Sequence, residues 1–418
     1  MLAARARRPL PELFPSKPVE PDLARRMEGR YVHLGESIMD LEERQGKLTM
    51  LPARRGYQTE LRRLGNHLIV DDRLAYGEEF LPQEDAIQTG LYQLERRDIP
   101  KPDPAPDQWA GLIGEYGWDY DTLYILEKDG KLTALIEWFE YDLLTEESRD
   151  VFRFPDDGLY DHEPAVFKRD AKGYATEVRI GGVAFKRRPI AGPTSGEAGP
   201  VFRIQPLKPV DELRRQALAS RPPPESGEFL KPDLVELVKL DPSIKLDIRY
   251  ASTRNFLSAP MYQEARAFMQ RPAAEAVVRA NRKLKALGYG LLIHDAYRPW
   301  YVTKMFWDAT PDEDHIFVAN PQEGSRHNRG CAVDLTLFDL KTGQPVPMVG
   351  GYDEMSERSY PFYPGGTSLQ RWDRRLLRHT MEAEGFTVYD FEWWHFDYKG
   401  WRRYPILNLR FDEIRSRK

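Results

Sequence analysis

Ser325-Arg326-His327-Asn328-Arg329-Gly330-Cys331-Ala332-Val333-Asp334-Leu335-Thr336-Leu337 reads as a turn running into a strand, with a candidate metal ligand in each part. Asn328-Arg329-Gly330 is the turn, and the strand is expected over 332–337. Side chains alternate along a strand, so Ala332, Asp334 and Thr336 share one face while Val333, Leu335 and Leu337 turn to the core. A carboxylate among such neighbours is costly to bury alone, and a cation is one remedy. Downstream, Glu392-Trp393-Trp394-His395 adds a second imidazole. Two imidazoles and one carboxylate leave Zn²⁺ with one open position. The expected ligands are therefore His327, Asp334 and His395, holding one Zn²⁺ per chain. Glu392 lies close enough to His395 in sequence to serve as general base without being a ligand. Arg298, kept extended by Pro299, supplies a fixed cation for charge that develops in a reaction. A zinc-dependent hydrolase is the expectation.

Glu392 and His395 stand at an odd offset, which a regular strand would send to opposite faces. The segment must therefore bend. Trp393 and Trp394 would wall the site and push the Glu392 carboxyl up. Cys331 follows Gly330 on the face opposite Asp334 and is expected to be a buried, inert thiol rather than a ligand. His294, His315 and His379 lack partner spacing and are read as ordinary polar residues. His379 is expected on a solvated basic helix face with Arg374, Arg375 and Arg378.

Five segments in order, Tyr250 to Phe256, Asp295 to Pro299, Ser325 to Leu337, Asp353 to Ser359 and Glu392 to His395, resemble the D-alanyl-D-alanine dipeptidases of the VanX type. The resemblance runs from about Asp233 to about Pro405. It implies one catalytic zinc and hydrolysis of D-Ala-D-Ala in cell-wall chemistry. It makes Arg298 the group that stabilises the tetrahedral oxyanion. It also places Tyr250, Ser325 and Asp353 at the dipeptide: Tyr250 and Asp353 toward the ammonium, Ser325 toward the carboxylate. Two alternatives remain beside this reading. One is a D,D-carboxypeptidase or endopeptidase that trims peptidoglycan stems. The other is a cell-wall binding protein without activity.

Composition narrows the partners. The 418 residues suggest two or three domains, and 61 Lys+Arg against 66 Asp+Glu give no reason to expect nucleic acid. Cys331 is the single cysteine, so no intrachain disulfide forms. No apolar run is long enough to span a membrane. Met1 to Arg8 is basic, but Pro9-Leu10-Pro11 stands where an apolar signal core would be needed. The expected place is the cytoplasm, or the periplasm if a signal peptide is missing from the sequence. The expected partner is a small dipeptide; oligomeric state is not legible.

The chain is read as multidomain: an extension over 1–26, β-rich units over 27–99 and 107–190, a Pro-rich linker over 191–232 and an α+β zinc peptidase domain over 233–418 with a small antiparallel sheet. The β units repeat one another. Gly29-Arg30-Tyr31 and Glu43-Arg44-Gln45-Gly46-Lys47-Leu48-Thr49 recur as Gly114-Glu115-Tyr116 and Glu127-Lys128-Asp129-Gly130-Lys131-Leu132-Thr133. Gln45-Gly46 and Asp129-Gly130 are hairpin signals, and Leu123 and Ile125 alternate with Tyr124 and Leu126 before the second. These units resemble lipocalin-like β modules and suit two small barrels or two halves of one closed sheet. Helices are expected over 211–220, 273–287 and 372–384, with strands over 290–293 and 386–389.

Overall fold

Gln45 and Gly46 both adopt positive φ, 56° and 81°, and Asp129 and Gly130 do the same at 49° and 78°. Consecutive positive φ values define the type I′ hairpin turn, whose twist matches that of the flanking strands. In both turns the glycine N–H donates to the glutamate that opens the turn, Gly46 to Glu43 and Gly130 to Glu127. The sequence repeat is thus a repeat of turn chemistry.

The computed structural model describes residues 16–54, 56, 58–72, 76–90, 92–136, 140–188 and 202–415. The basic start and Pro9-Leu10-Pro11 lie outside the described residues, as does the first part of the expected linker. The chain forms two compact units. One runs to Pro102 and resumes over Glu115–Arg187; the other joins Asp103–Gly114 to the chain from Arg188 onward.

In the first unit, eight strands from Gly29–His33 to Gln93–Arg97 pair antiparallel with their chain neighbours, and the last pairs with the first. The result is a closed up-and-down barrel. A further short strand, Lys17–Pro18, pairs with Thr59–Leu64. Tyr31, Leu41, Leu48, Leu61, Leu68, Ile87 and Leu94 are fully buried in its core, and Ala24 and Met27 of the helix Pro21–Met27 join them. The second repeat forms a four-stranded sheet and a five-stranded sheet, bridged at Tyr116 and Arg187. Alternation fails to sort its faces: along Asp121–Lys128 every residue from Thr122 to Glu127 is buried.

The other unit is built on a five-stranded sheet. Its order is Lys245–Leu246, Tyr289–Asp295, Ala332–Asp339, Glu392–Tyr398 and Phe386–Tyr389. It is antiparallel except at the edge, where Lys245–Leu246 runs parallel to Tyr289–Asp295. Leu291, Ile293, Val333, Leu335, Leu337 and Phe396 pack with Val277 and Leu284 of the helix Arg271–Lys285 and with Leu377 and Met381 of Ser368–Glu382. Each fully buried aliphatic side chain contributes about 1.5–3 kcal/mol. Gly288, at φ 88°, follows the first of these helices. The second starts four residues before its expected position, because Thr367 and Gln370 form a capping box.

Two expectations need correction. The helix bearing His379 does not present a solvated basic face. Arg374 and Arg378 are 6% and 3% exposed; Arg374 donates to the Tyr363 carbonyl and Arg378 lies over the Phe362 ring. The loop before the helix folds back and covers that face. Nor do the described residues of the expected Pro-rich linker stand outside the domain that follows. Phe202 and Ile204 pack on the core, and the helix Val210–Ala219 buries Leu213 and Ala217. Glu225 then takes the Arg329 guanidinium at 2.6 Å.

Candidate active site

Sheet register assembles the site. Asp334 pairs directly with His395 on one side and with Asp295 on the other. Gly330 makes the approach possible. It ends the short turn His327–Arg329 at φ 68°, and a Cβ there would meet Leu234 Cδ2 at 2.6 Å. The turn leaves His327 over the start of the strand. The odd offset of Glu392 and His395 is absorbed where Tyr389 pairs with Glu392 but Val388 pairs with Phe396, a large irregularity in register. Glu392 Oε2 consequently lies 3.6 Å from His395 Nδ1.

Three atoms converge. His327 Nε2 is 3.2 Å from Asp334 Oδ1 and 3.1 Å from His395 Nδ1, and His395 Nδ1 is 3.0 Å from Asp334 Oδ1. Among the described residues, these three form the cluster of His, Cys, Asp and Glu side chains with metal-ligand spacing. Their outer partners bear on the tautomers. His327 Nδ1 faces the Ala296 carbonyl, and His395 Nε2 faces Asp397 Oδ1 at 2.9 Å. With a hydrogen on each outer nitrogen, the inner nitrogens are the ones that could bind a cation. Their two lone pairs and a carboxylate oxygen would then repel unless a cation sat among them. Ligand atoms of a tetrahedral Zn²⁺ lie roughly 3.3–3.4 Å from one another, given bonds of about 2.0–2.1 Å. The donor set and its spacing fit that ion. The local field favours positive charge at this point, whether a metal ion or a proton on His395: burial opposes charge on the ring, but Asp397 and Asp334 outweigh it and push the imidazole up to about 10.

Asp334 Oδ2 is turned away. It accepts from the Tyr352 hydroxyl at 3.0 Å and faces Arg298 at 3.5 Å. Arg298 is 8% exposed, donates through Nε to Asp295 at 2.9 Å, and lies over the Tyr250 and Phe306 rings. It thus keeps the ion pair that a purely structural arginine would have, while also lining the cavity. Glu392 is held in a buried setting that raises its carboxyl to about 7; Asp334 adds to this and His395 opposes it.

The cavity measures about 460 Å³ and is lined by all eight residues expected at the site. Ser325 is buried, and its hydroxyl accepts from the His327 N–H at 3.2 Å. Tyr250 is buried and donates to Asp353 Oδ1 at 2.8 Å. Asp353 sits at φ 60°, and its Oδ2 is closed off from solvent without a hydrogen-bond partner. Strained backbone with a half-satisfied carboxylate is the kind of cost that binding sites carry. Cys331 stands apart: its thiol is fully buried, points at the Arg329 carbonyl, and is pushed by burial up to about 12.

Sequence reasoning did not single out Tyr352, Asp397 or the role of Asp295 as the partner of Arg298. Asp397 carried a signal, since two residues after His395 on a strand it shares a face with it. Tyr352 carried none beyond its place beside Asp353. His294 is more than an ordinary polar residue. It is buried, held down to about 4 by that burial, and stacks on Tyr352 at 4.6 Å.

The family described as Peptidase_M15, D-ala-D-ala dipeptidase, matches residues 231–413. A D-alanyl-D-alanine dipeptidase of Escherichia coli (strain K12) is 35% identical over 179 residues, which cover 43% of this chain and 91% of that protein. One from Enterococcus faecalis is 35% identical, covering 37% of this chain and 85% of the relative. One from Enterococcus faecium is 34% identical, covering 40% and 91%. The described residues contain no helix long and apolar enough to cross a membrane. With relatives of this identity spanned almost end to end, the chain belongs, through residues 231–413, to the D-ala-D-ala dipeptidase family of M15 peptidases.

Proposed function

We propose that this protein hydrolyses the peptide bond of D-Ala-D-Ala or a similar cell-wall dipeptide, with one Zn²⁺ held by His327, Asp334 and His395. The observation that carries the reading is the triangle of two imidazole nitrogens and one carboxylate oxygen, 3.0–3.2 Å on each side. When bound, the ion polarises the scissile carbonyl and lowers the pKa of water to about 7. The remaining work falls to the chain's own residues. Glu392 takes a proton as water attacks and returns it to the leaving amine, in reach because its Oε2 stands 3.6 Å from His395 Nδ1. Arg298, fixed by Asp295, meets the negative charge that grows on the carbonyl oxygen. Asp353, oriented by Tyr250, offers its unpaired Oδ2 to the substrate ammonium. Ser325 faces the carboxylate end.

A second reading is a carboxypeptidase acting on peptidoglycan stems. The cavity of about 460 Å³ favours it, since pockets of that size enclose ligands larger than a dipeptide. The test is amino-acid release by zinc-loaded protein from D-Ala-D-Ala, L-Ala-D-Glu and a pentapeptide stem. Free D-Ala from the dipeptide supports the first reading. Release from the stem alone supports the second. No release from any of them, with zinc bound, leaves a binding protein.

A further inference from the structure

Arg326 lies between Ser325 and the ligand His327 and lines the same cavity. Its side chain is 40% exposed and is held from two directions. Nε faces Asp397 Oδ2 at 3.4 Å, outside hydrogen-bond geometry, and Cζ lies 5.0 Å from the centre of the Trp401 ring. Among the described residues Asp397 is its ion-pair partner, and no group accepts a hydrogen bond from its guanidinium. The other arginine lining the cavity, Arg298, is buried and occupied by Asp295 and Asp334. The neighbouring Arg329 is 8% exposed and paired with Glu225. Arg326 is therefore the guanidinium that lines the cavity with its fork still open.

We propose that Arg326 binds the C-terminal carboxylate of the substrate beside Ser325, and so selects for a free carboxyl end. This rests on the dipeptidase reading above and names the group that sets its specificity. A planar fork meets a carboxylate with two parallel hydrogen bonds, and a guanidinium stacked on an indole is already oriented for them. Asp397 adds a link to the chemistry. Its Oδ2 faces Arg326 and its Oδ1 takes the His395 N–H, so one carboxylate orients both the receptor and a metal ligand. Asp353 at one end and Arg326 at the other would complement the two charges of a free dipeptide.

The experiment compares D-Ala-D-Ala with D-Ala-D-alaninamide, using wild type, Arg326→Gln and Arg326→Lys, with zinc content measured for each. Wild type is expected to prefer the acid. Arg326→Gln should lower kcat/KM on the acid roughly 10–100-fold, chiefly through KM, the scale of hydrogen bonds to charged groups. The loss on the amide should be at least ten-fold smaller. Arg326→Lys should recover part of the acid activity. Equal losses on acid and amide, or lost zinc, would overturn the assignment and make Arg326 a support for Asp397 and His395. An unchanged acid preference in Arg326→Gln would also overturn it. Wild type inert toward both substrates would remove the dipeptidase reading, and this assignment with it.

Discussion

The Tyr352 hydroxyl donates to Oδ2 of Asp334 at 3.0 Å, leaving Oδ1 alone to face His327 and His395. The carboxylate is thereby fixed to offer a single oxygen. Partners of this kind orient metal ligands, and their loss typically costs 10–100-fold in affinity or activity. Tyr352→Phe is expected to weaken zinc binding about ten-fold, because Arg298 still restrains Oδ2. Competition with a chromophoric chelator measures it, and unchanged affinity would mean that Arg298 suffices.

Glu392→Gln keeps the shape of the side chain but cannot carry a proton. It should lower kcat by roughly 10²–10⁴-fold while zinc content and melting temperature stay at wild-type values. The pH profile gives a second readout. Burial raises the Glu392 carboxyl to about 7, and a base must be ionised to act. Activity should therefore fall as pH drops through that carboxyl's pKa. A bound divalent cation draws the pKa downward, which places the acid limb at or below about 7 in zinc-loaded protein. Near-native kcat in Glu392→Gln would put the base elsewhere.

Asp353→Asn separates stability from binding. Burial above all raises the Asp353 carboxyl well above its usual range, against the hydroxyl of Tyr250. The sign follows from linkage. Folded pKa exceeds unfolded pKa, so stability from this group is present in acid and lost as pH rises through the folded value. At neutral pH the native acid is a burden. Asn tolerates the left-handed backbone at φ 60° and carries no charge. The variant should melt at higher temperature, by about 1 kcal/mol of stability, while KM for the dipeptide rises roughly ten-fold or more. Lower stability, or an unchanged KM, would contradict the placement of Asp353 at the ammonium.

All eight expected site residues belong to the unit that includes the chain from Arg188 onward, so the chemistry is expected to survive removal of the β units. The cut must respect packing. A fragment beginning near Ser226 would lose Leu213 and Ala217 from the core, and should be destabilised by about 2–5 kcal/mol. One beginning at Phe202 keeps them; it gives up Asp103–Gly114 of its own unit, which adds no residue to the core around the sheet, and should fold, bind zinc and cleave the dipeptide. A folded, zinc-loaded fragment from Phe202 without activity would show that the β units take part in turnover.

What was legible in the sequence was local chemistry. Gln45-Gly46 and Asp129-Gly130 announce their turns because only a few residue types accept two successive positive φ values. His327, Asp334 and His395, with Glu392 beside them, stand out as a candidate metal site because few other uses place two imidazoles and two carboxylates around a turn and a strand. The bend between Glu392 and His395 was implied by their odd offset alone. Tertiary structure decided everything that depends on partners far apart in the chain. Asp334 meets His395 through strand register, Tyr352 reaches Asp334 from a loop, and Arg374 and Arg378 are buried by a segment folding back over their helix. Local periodicity reports which residues share a face, but not what will cover it. For that reason the candidate ligands could be named from the sequence, while the side chains that surround them became visible only once the sheet was assembled.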